Sequence, residues 1–301
     1  MMKTMMRSMI TLAVVLVGAA MTAAPALAQD FEWRGRIDRG DALEVRGING
    51  RIEAEAASGD QVVVTAVKTE GRKGDAEDVT FDVVEHAGGV TICAIYPNKR
   101  GKRENRCAPD DSHLSNHDND TRVDFRIRVP TGVNLEVGTV NGDVNVRRVA
   151  GSVKAWTVNG DVDVESGGNA EASTVNGSIR AAMERDLESD LRFNTVNGSV
   201  TVELPPGANA DVEAATVNGS LESDFPLTVQ GRFMNRRLRG KIGDGGHRLE
   251  LETVNGGYLI RHTGWPAARG FSEWPARPPA LPARSARSYA APGAATADLR
   301  R

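Results

Sequence analysis

The chain has 301 residues, a formal charge of −3, only 5% aromatic residues and 32 glycines. So even a balance gives no electrostatic reason to expect a nucleic-acid partner or a membrane-surface binder. Few aromatics and many glycines suit an elongated β architecture with many turns and a thin core of small aliphatics.

In chain order, Lys3 and Arg7 precede an apolar run from Met9 to Ala20, and Ala26-Leu27-Ala28 follows. This is the pattern of a bacterial-type signal peptide, with cleavage expected after Ala28. The run is short for a membrane anchor, which needs about 20 apolar residues. No Cys follows the cleavage site to carry a lipid, and no later segment could cross a membrane as a helix. The sequence therefore predicts export to the periplasm or the cell surface.

Residues 29–130 form an irregular β region and cap. Gln61 to Thr69, Val79 to Val84 and Val90 to Ile95 read as strands, and Val123 to Val129 alternates cleanly until Pro130. Cys93 and Cys107, the only cysteines, are expected to pair in an oxidising compartment. Such a bridge would restrain a polar, basic loop and stabilise by ~3 kcal/mol. A redox or metal pair would call for CxxC spacing, which is absent.

Residues 131–262 carry a repeat. Thr-Val-Asn-Gly begins at Thr139, Thr157, Thr174, Thr195, Thr216 and Thr253, at spacings of 18, 17, 21, 21 and 37. The last spacing suggests a degenerate unit, with Thr228-Val229-Gln230-Gly231 as its trace. Gly47-Ile48-Asn49-Gly50 is an outlying early copy. The flanks repeat in register. Leu135-Glu136-Val137 recurs as Val153-Lys154-Ala155, Ala170-Glu171-Ala172 and so on, apolar then charged, which marks a strand with one buried face. Beyond the Gly stand Val144, Val162, Ile179, Val200, Leu221 and Tyr258, so a second strand leaves each corner. Residues 263–301, rich in Pro, Ala and Arg, read as a disordered tail.

Two all-β architectures can use this unit. Asn-Gly favours a two-residue hairpin, giving an antiparallel meander, but a hairpin would put the recurring Val on the outer face. In a β-arc the inside-outside phase slips at the corner, so Thr and Val could both line the interior. Each repeat would then be one coil of a β-solenoid, stacked at ~4.8 Å. The solenoid is favoured. The repeat corners are Asn49, Asn141, Asn159, Asn176, Asn197, Asn218 and Asn255.

From Leu43 to Arg261 the register resembles a bacterial adhesin-type domain family of unknown function, with recurring Thr-Val-Asn-Gly-(Asp/Ser)-(Val/Ile) units. Arg46-Gly47-Ile48-Asn49-Gly50 and the closing Gly243-Asp244-Gly245-Gly246 also resemble the related head-GIN adhesin-like family. The resemblance implies a right-handed β-solenoid (β-helix) outside the cytoplasm. It supplies no catalytic residues.

Candidate sites are few. Asp143 and Asp161 share a slot in adjacent repeats, and Asp163 lies two residues on. Such carboxylates could serve a glycosidase or hold a cation, but Asp and Ser both suit the residue after Asn-Gly as turn formers, and Ser178, Ser199 and Ser220 take that slot later. Asp110-Asp111-Ser112-His113 with His117-Asp118-Asn119-Asp120 has metal-binding residue types, but the spacing matches neither the calcium loop nor a zinc motif, and a solvated loop is expected. Trp156 stands in an outward slot and could stack on a sugar or anchor a protein, or simply lie on neighbouring stems. Arg232 to Lys241 is basic but carries Phe233, Met234 and Leu238, so it is expected to cover a coil. The sequence thus predicts a non-enzymatic interaction module for an envelope protein or glycan, with no cofactor. A carbohydrate-active enzyme using the outward Asp residues is the rival, and a purely structural role the third reading.

Overall fold

Period-two alternation of β-branched and charged residues favours paired strands with one face buried. The computed structural model describes residues 30–109, 112–229 and 237–263. The expected signal peptide and nearly all of the expected tail lie outside the described residues. The described part belongs to one unit, ending at Thr263.

The irregular half supplies β1 (Phe31–Gly35), β2 (Ala42–Arg46), β3 (Ile52–Ala56), β4 (Val62–Thr69), β5 (Thr80–His86), β6 (Gly89–Ile95) and β7 (Arg122–Val129). The repeats supply β8 (Asn134–Gly138), β9 (Val144–Val149), β10 (Val153–Trp156), β11 (Val162–Ser166), β12 (Ala170–Asn176), β13 (Ile179–Met183), β14 (Leu191–Asn197), β15 (Val200–Leu204), β16 (Ala210–Asn218) and β17 (Leu221–Ser223). The chain closes with β18 (Thr228–Val229), β19 (Arg237–Ile242), β20 (Arg248–Asn255) and β21 (Tyr258–His262).

Strands before each Asn-Gly join one sheet, strands after it the other. Consecutive strands such as β8 and β9 do not pair; β8 pairs in parallel with β10, and β9 with β11. The meander is thereby excluded, and each Asn-Gly is an arc between the sheets of a β-solenoid. Parallel pairing aligns like with like: Thr174, Thr195, Thr253 and Thr216 lie side by side across four strands. Inward residues of both sheets, among them Leu135, Val137, Val144 and Val146, fill one core at 0–1% exposure. The longer 21-residue spacings are absorbed in loops at the far side, between β13 and β14 and between β15 and β16.

Two expectations need correction. In the coils from Thr174 onward the tetrapeptide's Val does not share the interior with Thr, whereas Ile48 in the early copy is buried and Val140 packs partly against the core. Val175, Val196, Val254 and Val217 are 39–56% exposed, whereas every corner Thr from Thr139 to Thr195, and Thr253, is buried. Parity therefore holds through Thr-Val and slips at Asn-Gly. Thr goes inside because its hydroxyl has a task there. Thr157 Oγ1 donates to the carbonyl of Gly142 in the preceding coil at 2.9 Å, and Thr139, Thr174, Thr195, Thr253 and Thr216 do the same to their neighbours' corner glycines at 2.8–3.1 Å. A half-buried carbonyl that the sharp bend would leave short of partners is thus satisfied.

Nor is the 37-residue spacing a hidden coil. After β17 the chain forms β18 and β19, of which β19 runs antiparallel on the edge of β16 and β18 antiparallel on β19, and then returns. The returning strands β20 and β21 insert between the coils of β14/β15 and β16/β17. The other end shows the same exchange. The coil of β2 and β3 lies inboard, while β6 and β7, later in sequence, stack outside it. Antiparallel strands finish that end: β4 and then β1 on β7, and β5 on β6. Phe31 from β1 stacks on Phe81 from β5 at 4.5 Å, and Phe81 meets Phe125 edge-on at 6.0 Å, so an aromatic cluster closes this end of a mainly aliphatic core.

Candidate functional site: the outer faces of the coils

The corners form continuous ladders. Asn141 Nδ2 donates to Asn49 Oδ1, and the chain runs through Asn159, Asn176, Asn197, Asn255 and Asn218 at 2.8–2.9 Å, every amide pointing the same way. Asn49 closes the row on the carbonyl of Asn119 at 3.4 Å. The next slot is a second ladder: Asp143 Oδ1 accepts the backbone N–H of Asp161 at 3.0 Å, and Asp161 Oδ1 accepts that of Ser178 at 2.9 Å. These two carboxylates are therefore engaged in coil stacking, and Ser178 takes over the role toward Ser199 at 3.3 Å.

Asp163 stands apart from them, on the outer face of the sheet holding β11. Here β3, β9, β11, β13 and β15 present Glu53 and Glu55, Asn145 and Arg147, Asp163 and Glu165, Arg180, and Thr201 and Glu203. Arg180 pairs with Glu203 at 2.8 Å and Arg126 with Glu53 at 3.5 Å. A cleft of about 560 Å³ opens at the β1–β9 side of this face, lined by Arg34, Glu53, Asp124, Arg126 and Arg147 among others. Burial pushes the Asp163 carboxyl above its ordinary value, against the pull of Arg180 and Arg147. Glu165 is raised too, by burial and then by Asp163. Of this charged face the sequence reading singled out Asp163 alone. Glu165, Arg147, Arg180 and Glu203 were legible only as outward residues of alternating strands.

On the opposite sheet, three rows run across the strands. The charged row carries cross-strand pairs: Lys154 with Glu136 at 3.0 Å, Arg192 with Glu250 at 2.8 Å, Arg239 with Glu213 at 2.7 Å. Exposed pairs of this kind contribute at most about 1 kcal/mol each. In the middle row Trp156 is half-buried. Its indole lies over the bare face of Gly138, where a Cβ would sit 1.9 Å from the ring, and Arg46 stands 5.1 Å from the ring centroid. Trp156 thus packs on neighbouring stems and keeps one partly open edge. The third row is Val175, Val196, Val254 and Val217, continued by half-buried Val140 and Val158 and by buried Ile48. A shallow cleft of about 660 Å³ runs along it, lined by Val196, Val217, Val254, Asn194, Glu252 and Arg237 among others.

A family model, Toastrack DUF4097, matches residues 51–260. The chain belongs to the Toastrack family. Among solved structures, a candidate cell adhesion protein from Clostridium sporogenes is similar at 10% identity and a TM-score of 0.42, over 77% of this chain and 99% of that one. A candidate adhesin from Bacteroides fragilis is similar at 11% identity and a TM-score of 0.30, over 79% of this chain and 98% of that one. No curated protein matches.

In this Toastrack chain the outermost coil, β6 and β7, lacks the tetrapeptide, and residues 96–121 take its place. Cys93 and Cys107 form the expected disulfide, with Cα atoms 5.8 Å apart. Asp110 and Asp111 lie outside the described residues. His113 exchanges backbone bonds with Arg106 at 2.8 and 2.9 Å, Asn119 is buried, and Asp120 Oδ1 accepts the backbone N–H of Lys73 at 2.8 Å. Among the described residues no three His, Cys, Asp or Glu side chains gather as a metal site. No described helix is long and apolar enough to cross a membrane.

Proposed function

We propose that this Toastrack chain is an exported, non-enzymatic interaction module of the cell envelope. It acts in the periplasm or at the cell surface, with the solenoid as a rigid ruler. The observation that carries this reading is the Val row. Of the five large hydrophobics exposed among the described residues, four are the tetrapeptide Val residues in coils that stack directly on one another. Aligned apolar exposure is unusual on a soluble surface and marks a contact site. Here it is bordered by the Asn ladder and by the row of Trp156, Ser173 and Asn194. Apolar contact flanked by regularly spaced polar groups suits an elongated partner, an envelope protein or glycan. The Cys93–Cys107 bridge supports an oxidising compartment.

Glycan arrays and envelope pull-downs with the processed chain test the reading. Val175→Asp with Val196→Asp is expected to abolish capture while leaving the circular dichroism unchanged. If both assays stay blank with the unaltered chain, a purely structural role replaces it. The enzyme reading has its own test: turnover of an envelope polysaccharide that Asp163→Asn abolishes in a folded protein would overturn the non-enzymatic assignment.

A further inference from the structure

The whole-chain charge of −3 conceals a concentrated cationic feature in the irregular half. Residues 98–106 hold Lys99, Arg100, Lys102, Arg103 and Arg106 against a single carboxylate, Glu104. The segment is firmly based. The disulfide fixes Cys107 to β6. Asn105 donates to the carbonyls of Tyr96 and Ser115, both at 2.8 Å, and accepts from the Ser115 N–H and hydroxyl at 2.7 and 2.9 Å. Arg106 and His113 bridge the two arms. The tip is a turn closed by the Lys102 N–H on the Lys99 carbonyl at 3.0 Å. Gly101 sits in it at φ 81°, and a Cβ there would meet nothing within 4 Å.

Residues 99–104 are all exposed, and the side chains of Lys99, Arg100, Lys102 and Arg103 make no ion pair with any described residue. Several of the protein's other outward cations are instead paired across strands, among them Lys154, Arg180, Arg192 and Arg239. A rigid base keeps these four cations from folding back onto the acidic body and neutralising themselves. Long-range attraction then acts on whatever anion the tip meets.

We propose that this disulfide-based loop is a docking point for an anionic lipid surface. Charge complementarity selects the partner class, and shape selects the surface over a polymer. The tip is a tight turn of six consecutive exposed residues, open on all sides at Gly101, and from Asn98 to Arg106 it offers no apolar side chain to insert. Such a knob fits a plane of laterally mobile anionic headgroups. The loop lies at the outermost coil, so docking there leaves the Val row of the central coils free. The proposal therefore stands or falls separately from that row.

The test is co-sedimentation of the processed chain with vesicles of phosphatidylcholine alone, and of phosphatidylcholine with phosphatidylglycerol in equal parts. Binding is expected only to the anionic vesicles, and is lost at about 1 M salt, where screening acts within a few ångströms. Each Lys or Arg near such a surface contributes roughly fivefold. Replacing all four (Lys99→Gln, Arg100→Gln, Lys102→Gln, Arg103→Gln) should therefore weaken binding by roughly several hundredfold. These positions are exposed, so unchanged circular dichroism is expected of the variant. No binding to anionic vesicles at low salt overturns the proposal. So does equal binding by the quadruple variant, which would place the attraction elsewhere in the chain. Tight binding to soluble heparin without vesicle binding would replace the lipid surface with a polyanionic polymer.

Discussion

At the corners of most coils, among them those of Gly142, Gly177, Gly198 and Gly256, glycine is required by a neighbour rather than by its own torsion angle. A Cβ on Gly177 would lie 1.9 Å from the carbonyl oxygen of Gly160 in the coil below. Gly177→Ala is expected to cost more than about 3 kcal/mol, or to prevent folding. Gly207 is the contrast: its φ is 85°, yet a Cβ there meets nothing within 4 Å. Gly207→Ala should cost only ~1–2 kcal/mol. Urea unfolding of the two variants separates close approach from torsional strain. Asn176 both donates and accepts in the amide ladder at 2.9 Å. Because the ladder is open to water, Asn176→Ala should cost only about 1–2 kcal/mol by the same measurement. Asp163 has the opposite sign. Burial raises its folded-state pKa, so the folded form holds its proton longer than the unfolded chain, and stability is lost as pH rises through the raised value. Asp163→Asn removes that loss. Its melting temperature relative to the unaltered protein should climb between about pH 4 and pH 7. A flat difference across that range would show that Arg180 and Arg147 offset the burial.

At the scale of elements, both ends are finished by antiparallel strands, which hide the row of unpaired backbone groups that an open solenoid would present. The ends are not equivalent. One has the Phe31–Phe81–Phe125 cluster and the disulfide-bound loop. At the other, β19 and β18 cover only the sheet that contains β16. Cys93→Ala with Cys107→Ala is expected to lower stability by about 2–4 kcal/mol, since it frees a loop of about 15 residues in the unfolded chain. Hydrogen exchange should report the extra opening in residues 96–121 first, leaving the central strands protected.

Over the whole molecule, the exchanged coil order changes how the solenoid unfolds. In a plain stack the last coil in sequence is the outermost, and its removal leaves the rest intact. Here β20 and β21 hold β16 and β17 to β14 and β15. Deleting residues 248–263 is expected to release the Thr216 coil as well, its amides exchanging at unfolded rates while those of the Thr157 and Thr174 coils stay protected. If β16 and β17 instead collapse onto β14 and β15 and remain protected, the inserted coil is dispensable. Placing the β2/β3 and β20/β21 coils inside the stack puts contacts between residues far apart in sequence, such as Asn49 with Asn141. Slow folding is the expected consequence.

The sequence alone determined the unit. Period-two flanks set which residues face in, recurrence of Asn-Gly placed the corners, and two cysteines behind an expected signal peptide predicted their own bridge. It also led to the arc by a mistaken step, since the Val that argued against a hairpin proved to face outward in the arc too. Only tertiary structure could show why. A one-residue parity slip can fall anywhere within a tetrapeptide, and it falls at Asn-Gly because the Thr hydroxyl is needed inside by a carbonyl of another coil. Tertiary structure also decided the order of stacking. Coils of nearly identical pattern pair almost equally well with any neighbour, so nothing local distinguishes an inboard coil from an outboard one. The Thr-Val-Asn-Gly register made this chain a solenoid; the exchange of coils at both ends, and with it the length and continuity of the outward Val row, came from the packing of the whole.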